Sequence, residues 1–200
     1  MAPLVLSVPA TVAESGAAYI AAARASGDKW NYGTPGVGTV AHLGMELLKS
    51  RAGIAPVHVP YPGNPQVITA MLGGQVQMSL LPPGLAMPQV RAGKLKAIGV
   101  TSTGRSSLVP DVPSLTEAGV RDFQLEIWNA VAAPNSLPKA HVNRLATLLT
   151  EIVRREDIRQ KIFAQGWQVA GTSAEGLANR IAADTRMLGG VIRTVGITSE

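Results

Sequence analysis

A glycine-rich segment between a strand-like and a helix-like stretch is the part of this sequence best suited to chemistry. It reads GTPGVGT from residue 33 to residue 39, with WNY before it and an apolar run after it. Glycine lets a backbone approach another group closely. Gly36, Gly38 and Thr39 would expose N–H groups at a helix N-terminus, where the helix dipole favours an anion. The segment predicts a carboxylate or phosphate site, and the alternative is a tight turn with Thr39 as a plain N-cap.

Two nucleotide-binding motifs resemble this segment only in part. The pattern Gly36-x-Gly38-x-x-Ala41 matches the dinucleotide fingerprint, which also requires an acidic residue at the end of the next strand. That strand reads PVHVPYPG and has no acidic residue. A phosphate-binding P-loop needs Gly-Lys-Ser/Thr, whereas this sequence has Gly38-Thr39-Val40. A nucleotide-binding domain or a small α/β enzyme that uses this loop therefore stays as the alternative hypothesis.

The residues that could support catalysis are few. The histidines are His42, His58 and His141, and no two of them have metal-ligand spacing. His42 lies one turn into the predicted helix and could face a ligand, whereas His58 alternates within a strand and is more typical of a structural residue. Folding could bring Asp111 or Glu126 to the loop, but no carboxylate lies near it in sequence. We predict a protein that is not an enzyme, with no cofactor and no metal.

The charge distribution favours a small anionic partner. The chain has 46% hydrophobic and 16% charged residues, a net charge of +5 and no cysteine. No acidic residue lies between Glu46 and Asp111, while six basic residues do: Lys49, Arg51, Arg91, Lys94, Lys96 and Arg105. They are dispersed and not interleaved with aromatic residues, which argues against nucleic acid. The apolar runs are too short to span a bilayer, and the first fifteen residues do not resemble a signal peptide.

The first hundred residues alternate between strand-like and helix-like segments. The patterns predict strands at 3–8, 30–32, 56–59, 76–80 and 95–100, and helices at 11–25, 39–52, 65–72 and 85–91. Such alternation is typical of an α/β fold, in which parallel strands pair through right-handed crossovers. We therefore expect a parallel-rich sheet flanked by helices.

The organisation changes after residue 101. Residues 101–122 are rich in Ser, Pro and Gly and predict a loop with one helical turn near 114–118. One long strand is expected at 123–133, and helices are expected from Ser136, at 157–164 and at 172–188. Three amphipathic helices with a single strand lack a sheet to pack against. An apolar face formed by Val142, Leu145, Leu149 and Ile152 would then be exposed, and we predict self-association through these helices.

Three segments in order resemble the substrate-binding proteins of tripartite tricarboxylate transporters, the Bug family. They are NYGTPGVGTVAHLGMELL, HVPYPGNPQVITAMLGGQV and VRAGKLKAIGVTSTGRSSLVPDVPSLTEAG. The resemblance continues through the strand around Trp128, the PNSLP segment and the GTSAEGLANRIAADT tail, and so covers essentially the whole chain.

The resemblance implies a periplasmic receptor with two α/β domains of the type II periplasmic-binding-protein fold. They would close over a small carboxylate and present it to membrane transporter subunits. Residues 4–122 would be a nearly complete domain two. Residues 123–200 would be the C-terminal part of domain one, to which the chain returns after domain two. Carried over by position, the resemblance implies that loop residues contact the ligand, namely Thr34, Gly36, Val37, Gly38 and Thr39. It also implies that His42 lies behind the loop and that Tyr61 and Gly63 lie near the cleft.

The sequence departs from the family pattern in two ways. Relatives usually begin with a signal peptide and about a hundred further residues that form the first half of domain one. Here the chain is expected to start where domain two begins, so that half of the binding cleft would be missing. The family also often has acidic residues after the GG-Q turn, where this chain has Val76-Gln77-Met78-Ser79. That loss favours a plain carboxylate over an amino acid, unless it is neutral drift at a strand end.

Overall fold

A five-stranded sheet flanked by helices forms the core of the first part of the chain. The computed structural model describes residues 1–12 and 16–198. Its core strands are β2 (Val5–Pro9), β3 (Asn31–Thr34), β4 (Val57–Pro60), β5 (Ser79–Leu81) and β6 (Leu95–Val100). The helices between them are α1 (Gly16–Ser26), α2 (Val40–Ala52), α3 (Asn64–Leu72) and α4 (Pro83–Arg91). The predicted alternation is confirmed. The start of the helix expected at 11–25 includes residues 13–15, which lie outside the described residues.

The order of the strands across this sheet is β4-β3-β5-β2-β6. β4 is parallel to β3, and a bridge between Tyr32 and Met78, also parallel, joins β3 to the chain leading into β5. β2 is antiparallel to both β5 and β6. Four strands therefore run in one direction, which agrees with the expected parallel-rich sheet.

Strand β2 is the exception to parallel pairing in this sheet. The chain enters β2 from the edge of the sheet at which β6 ends, because the Leu4 N–H donates to Thr101 Oγ1 at 2.7 Å and the Thr101 N–H donates to Leu4 O at 2.9 Å. The Thr101 hydroxyl also donates to Leu125 O at 2.6 Å. Strand direction is thus set by contacts about a hundred residues apart, which an alternating pattern does not record.

The shared direction of β3, β4, β5 and β6 brings the loops that follow them to one edge of the sheet. In α/β sheets this carboxyl edge is where ligands bind. Helices α2, α3 and α4 begin at the same edge, each directly after its strand. Two buried apolar clusters, one on each face of the sheet, hold these strands and helices in place.

The last third of the chain is helical, and its last helix packs against α2. Its helices are α5 (Lys139–Arg154), α6 (Glu156–Ala164) and α7 (Ala174–Val195), and none of them contains a buried residue. Leu145, Leu149 and Ile152 are exposed as expected, together with Phe163 and others. Whether the chain self-associates through this face stays a prediction. None of the helices in the described residues is both long and apolar enough to cross a membrane.

Three expected elements of this region differ in the structure. The helix expected from Ser136 begins at Lys139, with Pro138 and not Ser136 at its N-cap. The long strand predicted at 123–133 was wrong, because only β7 (Glu126–Ile127) forms, paired antiparallel with β1 (Ala2–Pro3). Residues 128–133 find no partner strand, although Trp128 is held by a hydrogen bond from its Nε1 to Asp184 at 2.7 Å. The last helix is longer than predicted and ends at Gly196, which adopts a left-handed conformation.

Candidate functional site

The loop between β3 and α2 makes two turns that require glycine. Gly36 has a φ of 132° and Gly38 has a φ of 72°, and side chains disfavour both conformations. Val37 and Gly38 are exposed at the tip of the loop, whereas Thr34 at its base is fully buried. The glycines thus let the chain reverse and enter α2 at the carboxyl edge of the sheet.

Hydrogen bonds within the loop occupy several groups that the sequence assigned to the ligand. Gly36 O accepts hydroxyl bonds from Thr34 at 3.1 Å and from Thr39 at 2.8 Å. The Gly38 N–H donates to Nδ1 of His42 at 3.1 Å. The structure therefore gives the Thr34 hydroxyl and the Gly38 N–H internal partners instead of leaving them open to a ligand.

Thr39 is the N-cap of α2. Its hydroxyl accepts the His42 N–H at 3.4 Å while donating to Gly36 O, so the capping interpretation of Thr39 is confirmed. The cap satisfies only one of the N–H groups that every helix leaves open at its start. Among the hydrogen bonds of the described residues, the N–H groups of Val37, Thr39, Val40 and Ala41 have no acceptor. These donors lie at the positive end of the helix dipole, where an anion is favoured on physical grounds.

A stack of aromatic side chains lies under the loop. The imidazoles of His42 and His58 are parallel within 13°, with centroids 3.9 Å apart, and the Tyr32 ring lies 4.9 Å from that of His58. The Tyr32 hydroxyl donates to the buried carboxylate of Glu46, which Lys49 also contacts at 2.8 Å. This lysine is therefore paired with Glu46.

Both imidazoles of the stack are neutral near pH 7. Burial lowers the pKa of His42, and burial together with the neighbouring His42 lowers the pKa of His58 to about 4. Because Nδ1 of His42 accepts the Gly38 N–H, the ring proton of His42 is on Nε2. Nε2 of His58 lies 2.6 Å from Oγ1 of Thr34 and fixes that hydroxyl. The two imidazoles beneath the loop thus carry no charge near neutral pH.

His58 is the residue whose position the sequence did not reveal. Its strand alternation suggested a structural side chain, yet it contacts both Thr34 and His42 beneath the loop. The information that places His58 beneath the loop is the parallel pairing of β3 and β4, in which Tyr32 lies opposite His58 and Thr34 opposite Pro60. That register becomes visible only once the two strands are known to be neighbours.

Tyr61 lies beside the base of the loop, and Gly63 begins the helix that follows it. The Tyr61 N–H donates to Thr34 O at 2.9 Å, and its ring packs over Gly33, where a Cβ would come within 3.4 Å of the ring. The Tyr61 ring is half-buried, and its hydroxyl has no hydrogen-bond partner among the described residues. Gly63 is the N-cap residue of α3 and has an extended backbone that any residue can adopt. A glycine at this position therefore differs from other residues only in its small size.

The histidine stack predicts a loss of stability in acid. Unfolded histidine titrates near 6.5, whereas folded His58 titrates near 4, so the unfolded chain binds more protons as the pH falls through this interval. We expect the melting temperature to fall between pH 6.5 and pH 4, and less steeply in His58→Gln. Thermal unfolding by circular dichroism at several pH values measures this. His141→Gln, at an exposed position on α5, is the control, and equal slopes for all three proteins would contradict the prediction.

Comparison with known proteins gives a family that matches nearly the whole chain. The profile of the "Tripartite tricarboxylate transporter family receptor" TctC matches residues 1–197. A relative from Bordetella pertussis, a protein of the UPF0065 group, is 29% identical over 172 residues, which are 86% of this chain and 53% of that protein. The BugT protein of the same organism is 28% identical over 195 residues, covering 97% of this chain and 60% of BugT. The chain thus spans little more than half the length of these relatives.

Solved structures of similar fold include two with carboxylates. "R. palustris Rpa4515 with adipate" superposes with a TM-score of 0.89 at 26% identity, covering 98% of this chain and 66% of that one. MatC from Rhodopseudomonas palustris, "with bound malate", has a TM-score of 0.83 at 25% identity and covers 96% and 66%. These likenesses place the fold in the periplasmic-binding-protein class. Within that class, the chain belongs to the tripartite tricarboxylate transporter receptor family.

Proposed function

We propose that this chain is the ligand-binding part of an extracytoplasmic receptor that captures a small carboxylate for a tripartite transporter. The observation that carries the proposal is the set of N–H groups at the start of α2, which have no acceptor within the described residues. They lie at the carboxyl edge of the sheet, where neighbouring helices also begin. A small anion is the ligand that such donors favour.

The site suits a carboxylate better than a nucleotide. A dinucleotide site needs an acidic residue after β4 for the ribose, and the segment from His58 to Gly63 has none. A triphosphate site needs a lysine at the start of the helix, and the nearest lysine of α2, Lys49, contacts Glu46. The structures of relatives with adipate and malate support the same choice.

We assign two kinds of role to the site residues. Val37, Thr39, Val40 and Ala41 would contact the carboxylate through backbone N–H groups, and Tyr61 would add its hydroxyl. The others hold these donors in place without contacting the ligand directly. Gly36 and Gly38 supply the turns, Thr34 and His42 supply hydrogen bonds, and Gly63 is the N-cap residue of α3.

The remainder of the ligand site would come from polypeptide that relatives have and this chain does not span. Residues 4–122 would form one nearly complete domain, and residues 123–200 would contribute to a second. In the whole receptor, closure of the two domains over the ligand in the periplasm would signal occupancy to the membrane subunits. Such a receptor has no catalytic role.

Calorimetric and thermal-shift titrations test the proposal directly. We expect adipate, malate or a related dicarboxylate to raise the melting temperature in proportion to the logarithm of its concentration, because it binds only the folded chain. NAD and ATP should give no shift at the same concentrations. Stabilisation by a nucleotide and not by any carboxylate would overturn the proposal in favour of the nucleotide-binding alternative.

A further inference from the structure

The start of α2 is a reciprocal cap in which a histidine takes the place of the usual acidic residue. Capping boxes have the pattern Ser/Thr-x-x-Glu/Gln, and the third helical residue reaches back to a backbone N–H at the helix start. Here Thr39 and His42 occupy those two positions. The Thr39 hydroxyl accepts the His42 N–H, and Nδ1 of His42 accepts the Gly38 N–H at 3.1 Å.

The choice of histidine has a consequence for charge. A glutamate at position 42 would place a negative charge in the first turn, next to the N–H groups of Val40 and Ala41. That charge stabilises an ordinary helix, but it would repel an anion bound to the same turn. A neutral imidazole satisfies the loop amide without this repulsion.

The surroundings of His42 keep its ring both neutral and oriented. From β4, His58 stacks on it at 3.9 Å, and His58 is in turn fixed by the Thr34 hydroxyl of β3. The Tyr32 ring, also of β3, lies 6.3 Å away. On α2 itself the charged groups that face the ring are Glu46 and Lys49, which form an ion pair with each other. The ring is buried, with 5% of its residue surface exposed.

We propose that His42 is a positioning residue that holds the Gly38 N–H through a neutral Nδ1, so that the loop presents its remaining amides to an anion without a competing charge. His58 supports this role by stacking. The inference rests on the proposed carboxylate function, but its structural part holds for the chain without ligand. Protonation of His42 removes the acceptor and releases the Gly38 N–H.

The first test is made without ligand, by nuclear magnetic resonance of the whole chain. The ¹⁵N shifts of His42 should show a protonated Nε2 and an unprotonated Nδ1 at pH 7.5. On acidification, the Gly38 amide proton should move upfield with the same midpoint as the His42 ring. In His42→Gln, whose amide oxygen accepts at every pH, that transition should disappear. A Gly38 amide that does not follow His42 would overturn the inference.

The second test separates two effects of residue 42 on anion binding, the hydrogen bond that it accepts and the charge that it carries. At pH 7.5 we expect His42→Gln to bind adipate within about threefold of the wild type, because it conserves a neutral acceptor. His42→Glu should bind adipate at least about tenfold more weakly, measured at a temperature where circular dichroism shows both variants to be folded, because a buried carboxylate lowers the melting temperature. Equal affinities of the two variants would overturn the inference. If the wild type does not bind adipate, the carboxylate function loses support, and the ligand-free test still decides the role of His42.

Discussion

Replacing Val40 with proline is expected to weaken carboxylate binding about tenfold while leaving α2 folded. Val40 is the first residue of α2, where proline is well tolerated because that N–H has no intrahelical partner. The preceding Thr39 has φ −66° and ψ 159°, the extended conformation that a following proline requires. The substitution therefore deletes one backbone donor, and a hydrogen bond to a charged group contributes about 1.5 kcal/mol or more. Isothermal titration with adipate or malate measures the loss.

The control for this experiment is Val40→Ala, which removes most of the same side chain but retains the N–H. Val40 packs against the larger apolar cluster, so both variants should lose a similar small amount of stability. Circular dichroism should report unchanged helix content for both. If the proline variant bound carboxylate as tightly as the alanine variant, the start of α2 would not be the anion site.

The local elements of the fold could be predicted because their signals lie within a few residues. Thr39 before an apolar run indicated the start of α2, and Gly53 after Ala52 ended it with a left-handed φ of 64°. The direction of β2 could not be predicted in this way. It depends on the bonds between Leu4 and Thr101, which are far apart in sequence. For the same reason, the sequence could not show that residues 128–133 lack a partner strand.

The start of α2 could be located from the sequence, but its hydrogen bonds could not. The pattern of glycines located the helix start, and anion binding at that start stays a prediction. It could not show which N–H groups are already bonded, since the Gly38 N–H is taken by a side chain four residues later. Nor could it show that the Thr34 hydroxyl is held by His58 from a neighbouring strand. The sequence assigned the free N–H groups to Gly36, Gly38 and Thr39. The structure instead gives the Gly38 N–H a partner and leaves those of Val37, Val40 and Ala41 without an acceptor among the described residues.

The position of α2 against the sheet depends on a glycine that the motif does not include. A Cβ added at Gly44 would lie 2.4 Å from Cδ2 of Leu125 and 2.8 Å from Cδ1 of Leu80, and both leucines are buried. Gly44 therefore allows α2 to lie directly on β5 and on the segment that leads to β7. Because the proposed anion site lies at the N-terminus of α2, the packing of α2 on the sheet also sets the position of that site.

We expect Gly44→Val to lower the free energy of unfolding by about 3 kcal/mol, because it forces a branched side chain into a filled contact. Chemical denaturation monitored by tryptophan fluorescence measures the change. Ser50→Val, at an exposed position of the same helix, controls for the cost of a β-branched residue. Adding Leu125→Ala to Gly44→Val should recover part of the loss by opening the space that the new methyl groups need. A Gly44→Val protein as stable as the Ser50→Val control would contradict the close packing of α2 on the sheet.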